Sequence, residues 1–193
     1  EVGQLDFGDV VASSDIDLGQ VEGGNPDLEP EKTTIVEAVY ERRFWGEGVL
    51  TLMAQHGEVE DVIDRIPLTG GFDGVGNIGN GAFDVFETRL TLPMDRLGLS
   101  NARLQARASW VHTEVTDPLT GENRRFQGNQ AFGCGVSFNQ DLMGGRWSYG
   151  FDHGCNLDRG VNYRIREIRT FEGEPFVTIY GQWKPADDMT VRV

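Results

Sequence analysis

The sequence predicts an all-β protein, namely a segment of an antiparallel transmembrane β-barrel with about nine strands. Three observations predict this class. Short runs alternate between apolar and polar residues, turn residues separate the runs, and the connections are alternately short and long. The composition agrees, because 26 glycines and 11 phenylalanines accompany only 38% hydrophobic residues, as expected of a sheet rich in turns and aromatic residues.

The clearest alternation lies in "ARLQARASWVH", residues 102–112. It places small apolar residues and Trp110 on one face of a strand and two arginines on the other. Residues 132–139 and 147–152 repeat the pattern, with glycine, serine, asparagine and aspartate on the polar face. Such a face would leave a soluble core unfilled, but it suits a wall between lipid and water. A soluble β-sandwich binding module, whose aromatic faces pack on a second sheet, is the alternative.

The strands and their connections are expected in a regular order. The predicted strands are 1–10, 33–44, 48–66, 80–94, 100–116, 129–143, 146–171, 174–184 and 188–193. The predicted short turns are 45–48, 95–99, 144–145 and 185–188, and the long polar links are 11–32, 67–80 and 117–129. Short turns at one end and long loops at the other are typical of membrane barrels. The bend at 158–160 is either a bulge in the seventh strand or a loop that shifts the later strands.

We expect residues 1–193 to form one partial barrel domain. The last predicted strand stops in mid-run at "MTVRV". An open sheet would leave unpaired edges, which a bilayer does not tolerate. Further strands are therefore expected before and after this sequence.

The stretch "GNPDLEPEKTTIVEAVYERRF", residues 24–44, begins with turn residues and continues as an alternating strand. Its prolines lack an amide donor and fix φ, so the first part forms a rigid loop that cannot pair as a central strand. Its acidic residues are expected to keep the loop in water. The stretch resembles a motif of TonB-dependent outer-membrane receptors, in which an Asn-Pro-x-Leu-x-Pro-Glu loop leads into a barrel strand. The matching residues are Gly24, Asn25, Pro26, Leu28, Pro30 and Glu31, whereas Glu29 stands where the family often has lysine.

The resemblance implies a barrel of about 22 strands with an N-terminal plug. It also implies energy-coupled uptake of a scarce nutrient, such as a ferric siderophore, cobalamin, haem or a glycan. Neither plug nor TonB box is present, so contact with the TonB complex is expected through the absent N-terminal part. The expected partners are outer-membrane lipid and a small-molecule or metal-chelate substrate, in the outer membrane of a Gram-negative cell. A passive porin-like channel is a further alternative.

The alternation also predicts which way side chains face. The candidates for facing a lumen are Glu37, Glu41, Arg43, Arg103, Gln105 and Arg107. The candidates for facing lipid are Val36, Tyr40, Leu104, Trp110, Phe138, Tyr149 and Phe151.

The two cysteines can be placed by counting outwards from Gly144–Gly145. A two-residue turn there would put Cys134 directly opposite Cys155. Such a pair would have Cα atoms about 4.5 Å apart, at the short end of the disulfide range. The cysteines are therefore either a disulfide or two small apolar side chains on the outer face.

No catalytic, cofactor or metal site is predicted. "GVGNIG", residues 74–79, matches a dinucleotide-binding pattern but precedes a strand rather than a helix, so we expect a flexible surface loop. The acidic run at 58–64 is read as a hydrated rim, and no spacing suggests a nucleophile beside a base. The net charge of −14 argues against nucleic acid as a partner, because phosphate binding needs a basic surface.

Overall fold

The computed structural model describes residues 2–3, 13–15, 20–22, 25–68, 72–155, 158–163 and 168–193. In chain order the strands are β1 Ser13–Asp15, β2 Gln20–Glu22, β3 Lys32–Phe44, β4 Gly48–Glu60, β5 Ile63–Leu68, β6 Phe72–Asn77, β7 Gly81–Pro93, β8 Ala102–Thr116, β9 Asn123–Arg124, β10 Phe132–Leu142, β11 Trp147–Cys155, β12 Arg159–Tyr163, β13 Ile168–Glu172, β14 Phe176–Ala186 and β15 Met189–Arg192. Two short 3-10 turns, Asp95–Leu97 and Met143–Gly145, are the only helical elements within these ranges. None of the described helical elements is long and apolar enough to cross a membrane.

One antiparallel sheet dominates the fold. Its strands follow the order β3-β4-β7-β8-β10-β11-β14-β15, and β9 pairs with the end of β8. Each long strand pairs with the next long strand along the chain, which is the up-and-down arrangement of a barrel wall. The predicted antiparallel all-β class is confirmed.

The connections differ in length at the two ends of the sheet. The short ones are 45–47, 94–101, 143–146 and 187–188, and the long ones are 61–80, 117–131 and 156–175. We call the edge with the long connections the loop end. Two of the long connections contain hairpins of their own, β5–β6 and β12–β13. The predicted alternation of short and long connections is therefore confirmed.

The predicted strand 48–66 is confirmed as far as Glu60 and is wrong beyond it. β4 leaves the sheet at Glu60, and Asp61 adopts a left-handed conformation with φ of 60°. The next strand, β5, then pairs with β6 outside the main sheet. Alternation shows that a run is extended, but it does not show which strand the run pairs with.

The predicted strand 146–171 is also wrong. β11 ends at Cys155, and the following residues form the separate β12–β13 hairpin, in which Arg159 lies opposite Glu172. β14 then returns to pair with β11 in the main sheet. Of the two readings of the bend at 158–160, the loop is therefore the one that the structure contains.

The structure describes only part of the N-terminal region in which a strand and a long link were predicted. The strand expected at 1–10 lies outside the described residues except for Val2 and Gly3. Val2 forms an isolated antiparallel bridge with Lys32, and the Gly3 amide donates a hydrogen bond to the Glu31 carbonyl. The link expected at 11–32 contains a small hairpin, since β1 pairs with β2.

The pairing register is unbroken from β3 to β14, so alternate residues form two continuous faces. The apolar face contains all seven side chains predicted to face lipid. Val36 on this face is 70% exposed, and Ile179 is 78% exposed. We call the opposite face the polar face. Such exposed apolar side chains suit a hydrocarbon environment, because apolar surface is unfavourable in water.

Aromatic rings are in contact along the apolar face. Phe86, Trp110 and Phe132 make contacts near the loop end, with ring centroids 5.9 and 5.1 Å apart. Trp147 and Trp183 stack at 5.5 Å near the short turns. Between these groups the Phe138 ring lies 6.0 and 5.9 Å from the rings of Tyr149 and Phe151. Aromatic residues towards both ends of the strands are typical of a membrane barrel wall.

The buried core found in the described ranges is small. Val59, Val62 and Val115 form it at the loop end, together with partly buried Phe83 and Phe126. A β-sandwich would instead cover the apolar face with a second sheet. Within the described residues no such sheet packs there, which argues against the sandwich alternative.

Candidate functional site

The polar face contains the six residues predicted to face a lumen. The registers place Glu37, Glu41, Arg43, Arg103, Gln105 and Arg107 together on this face. Glu41 forms an ion pair with Arg43, with 3.0 Å between Oε1 and Nε. Arg103 Nη2 lies 2.7 Å from Glu47 Oε2 beside a short turn. That this face lines a lumen stays a prediction.

Sequence reasoning missed Arg89, which lies directly opposite Arg107 on the neighbouring strand. Arg89 forms an ion pair with Glu87, two residues earlier on the same face. The stretch "FETRL" places Glu87 and Arg89 on one face of a strand. The sequence does not show that Arg107 lies opposite Arg89, because that depends on which strand pairs with β7. The register therefore places two arginines side by side on the polar face, with Gln105 two residues from Arg107.

An open recess of about 670 Å³ lies beside this arginine pair. Gln105, Ser137 and Thr178 contribute amide and hydroxyl groups to its lining, and Asp152 contributes a carboxylate. Its size falls within the range of small-molecule pockets, about 300–1,000 Å³. The recess therefore offers room and hydrogen-bonding groups for a polar ligand.

The loop motif at 25–31 docks against the next long connection. Leu28 is buried, and Asn25 Oδ1 accepts a bond from the Asp27 amide at 3.0 Å. The Asn77 side chain accepts a bond from the Glu29 amide at 2.9 Å and donates one to the Glu29 carbonyl at 2.8 Å.

The carboxylate of Glu31 accepts a bond from the Ile63 amide at 2.6 Å. This acid, which was expected to keep the loop in water, also joins two connections through its carboxylate. Asn77 was missed because its partner is distant in the sequence. The observed role of the motif is thus to clamp one loop to another.

A buried ionic cluster joins two more connections. Arg124 lies with Nη2 2.9 Å from Asp64 Oδ2 and with Nε 2.7 Å from Asp117 Oδ2. The side chains of Arg124 and Asp64 are only 7% and 2% exposed. The Arg124 guanidinium also lies 4.3 Å from the ring centroid of Tyr163, in a cation–π contact. Asp64, predicted to belong to a hydrated rim, is therefore a buried structural residue.

Hydrogen bonds favour the charged form of Asp117. Burial opposes ionisation, but the amides of Thr120 and Leu119 and the Arg124 guanidinium outweigh it, so the pKa of Asp117 lies below its usual value. The carboxylate thus remains charged at neutral pH and can hold Arg124.

Asp158 ties the third long connection to the second. Its Oδ2 accepts a bond from the Ala131 amide at 2.5 Å and lies 2.9 Å from Arg125 Nη1. The Ala131 bond lowers the pKa of Asp158, with smaller help from the Arg159 amide and Arg125, against the effect of burial. The Gly128 amide also bonds the Val161 carbonyl at 2.9 Å. The loop end is therefore one connected assembly.

Cys134 and Cys155 lie opposite each other in the predicted register. Gly144 and Gly145 both have positive φ, as a two-residue hairpin turn requires. The structure joins the cysteines in a disulfide with Cα atoms 5.1 Å apart. This crosslink fixes β10 to β11 on the apolar face.

The glycine-containing stretch at 74–79 belongs mostly to a strand rather than to a loop. "GVGNIG" was expected to be a flexible loop, but residues 74–77 belong to β6 and Ile66 packs over Gly76. Across the described ranges, no group of three ligating side chains is arranged to hold a metal ion.

Solved structures share this fold. The siderophore receptor PirA from Acinetobacter baumannii aligns with 90% of this chain and 28% of its own, at a TM-score of 0.62 and 14% identity. The ferric enterobactin receptor PfeA (G324V mutant) from Pseudomonas aeruginosa gives a TM-score of 0.64 at 12% identity, over 90% of this chain and 26% of its own. The pyoverdine outer membrane receptor FpvA from Pseudomonas aeruginosa PAO1, bound to pyoverdine, gives a TM-score of 0.60 at 12% identity. The alignment covers 84% of this chain and 25% of the FpvA chain.

The chain thus spans about a quarter of the length of these receptors. No family model and no curated protein matches the sequence. The likeness establishes the fold alone, an antiparallel sheet that matches part of the β-barrel of these proteins.

Proposed function

We propose that this chain is part of the barrel of a TonB-dependent outer-membrane receptor that imports a scarce nutrient. One observation carries the proposal: a single-layer sheet with one apolar and one polar face has the fold of siderophore receptors over most of its length. The Asn-Pro-x-Leu-x-Pro-Glu loop supports the same assignment, because it enters a wall strand as the motif requires.

In this proposal the polar face lines the lumen and the apolar face contacts lipid. The substrate is a small molecule or metal chelate, with a ferric siderophore as the leading class and cobalamin, haem or a glycan as further classes. The chain supplies wall, lumen lining and surface loops, and it performs no catalysis. Coupling to the TonB complex runs through a part of the receptor outside this chain.

Growth of a deletion strain tests the transport role. Loss of the gene should slow growth when iron or cobalamin is limiting and have no effect when both are abundant. Uptake restored by the gene should disappear in a strain that lacks TonB. Uptake that continues without TonB would support the passive porin-like channel instead.

Membrane fractionation tests the location independently of the substrate. The whole protein should sediment with outer membranes and require detergent for extraction. A folded, monodisperse protein in plain buffer would contradict the barrel assignment and return the soluble binding module to consideration.

A further inference from the structure

The arginine pair on the polar face is an electrostatic anomaly. Arg89 and Arg107 lie directly opposite each other, and like charges in this position destabilise a sheet. Glu87 neutralises Arg89. Among the described residues, Arg107 has no carboxylate within ion-pair distance.

The same row of the sheet continues as Gly135 on β10 and Gly154 on β11, and it ends at Phe176 on β14. A Cβ at Gly135 would lie 3.2 Å from Arg107 Nε, and a Cβ at Gly154 would overlap the Phe176 ring. The two glycines therefore allow a guanidinium and an aromatic ring to lie over the wall. Both groups line the recess of about 670 Å³.

The next row supplies hydrogen-bonding groups. Gln105, Ser137, Asp152 and Thr178 follow one another across four strands and line the same recess. The two arginines lie on the β7–β8 side, and among the described lining residues the one carboxylate, Asp152, lies on β11. The recess thus has a basic side, an aromatic side and polar groups between them.

We propose that this recess is a subsite for a small molecule that carries a carboxylate on a planar group. Arginine binds carboxylates through paired N–H donors, and its plane can stack on flat groups. Arg107, which the described carboxylates leave without an ion pair, holds the carboxylate, and Phe176 contacts the apolar plane of the ligand. The inference rests on the proposed function, because it places an anionic substrate along the polar face of the receptor.

Benzoate is a suitable probe, with benzamide as its neutral analogue. Binding to the whole receptor in detergent is followed by ligand-detected nuclear magnetic resonance. We expect benzoate to bind and benzamide to bind at least tenfold more weakly. Arg107→Gln should raise the Kd for benzoate at least tenfold, and Arg107→Lys should weaken binding less than Arg107→Gln.

Arg43→Gln is the matched control, because Arg43 is an exposed arginine on the same face whose carboxylate partner is Glu41. It should leave benzoate binding unchanged. Heat-modifiable migration on denaturing gels verifies that each variant is folded. Equal benzoate binding in wild type and Arg107→Gln would overturn the proposal, as would equal loss in Arg43→Gln or no binding to the wild-type receptor.

The outcome separates this subsite from the transport role. A receptor that supports TonB-dependent growth but does not bind benzoate would refute the subsite and leave the proposed function standing. A protein that gives no TonB-dependent growth under any nutrient limitation would refute the proposed function itself.

Discussion

At the scale of single residues, glycines on the polar face are paired with aromatic rings on the neighbouring strand. The Phe83 ring covers Gly57, the Tyr180 ring lies over Gly150, and the Phe176 ring covers Gly154. A ring laid over a glycine shields the bare backbone and packs where no Cβ intervenes. Sequence alone shows the glycines, but their purpose depends on the partner strand.

Gly57→Ala should destabilise the protein, because its Cβ would overlap the Phe83 ring. We expect a loss of about 1–3 kcal/mol in the free energy of unfolding, as for overpacked cores. The measurement is a urea titration of the folded receptor in detergent. Gly181→Ala is the control, since a Cβ there would have no neighbour within 4 Å. Equal stability of the two variants would contradict this packing argument.

Arg124→Met should be much more damaging than the loss of a surface ion pair. It would leave Asp64 buried without its partner, which costs about 3–5 kcal/mol. Arg159→Met removes an exposed pair with Glu172 and should cost less than about 1 kcal/mol. Urea titration compares the two variants. Similar losses would show that burial of the Arg124 cluster contributes little.

Acid should loosen the loop end. The pKa of Asp117 is lower in the folded protein than its ordinary value of 3.8, so its stabilising contribution is complete above that value. The contribution is lost as the pH falls through the lower folded pKa. Amide hydrogen exchange at Thr120, corrected for the intrinsic effect of pH, should accelerate below pH 3.8. In Asp117→Asn this acid-induced step should be absent, and its persistence would assign the step to another group.

At the scale of the elements, the β10–β11 hairpin was predictable in detail. Two adjacent glycines define a turn whose geometry sets every later pair, including Cys134 with Cys155. The β12–β13 hairpin was not predictable, because its alternation continues that of β11. Local patterns therefore specify a register where a tight turn fixes the count, and they fail where a strand changes partners.

Removal of the crosslink should weaken this hairpin. Cys134 and Cys155 are 21 residues apart, and a loop of that size gives about 3 kcal/mol of stabilisation in the chain-entropy model. The double variant Cys134→Ala/Cys155→Ala should therefore unfold at a lower urea concentration than the oxidised wild type. Dithiothreitol should shift the wild type towards the variant and leave the variant unchanged. A wild type insensitive to reduction would indicate that the thiols are free.

At the scale of the whole molecule, the wall was predictable and the loop assembly was not. Alternation is a local property, so the faces of Arg107 and Trp110 follow from their own strand. The Arg124 cluster and the Glu29–Asn77 clamp join residues from different connections. Such contacts depend on how the loops fold over one another, which no spacing in the sequence encodes.

The two faces should respond oppositely to the same added charge. Ala106→Arg places a cation on the apolar face and should reduce assembly into a bilayer, at a cost of about 2–4 kcal/mol near the midplane. Gln105→Arg places the same cation on the polar face of the same strand and should assemble normally. The fraction of heat-modifiable protein after folding into lipid vesicles measures both. Equal assembly would contradict a lipid contact at Ala106.

The single-layer sheet also has a consequence for sequence divergence. On the proposed barrel wall, most positions are constrained by whether they lie on the apolar or the polar face, rather than by a tightly packed partner across a core. Substitutions within a polarity class should then be nearly neutral, which is compatible with a shared backbone fold at 12–14% identity. An insertion of one residue within a strand is the change that such a wall cannot absorb, because it exchanges the apolar-face and polar-face side chains beyond it.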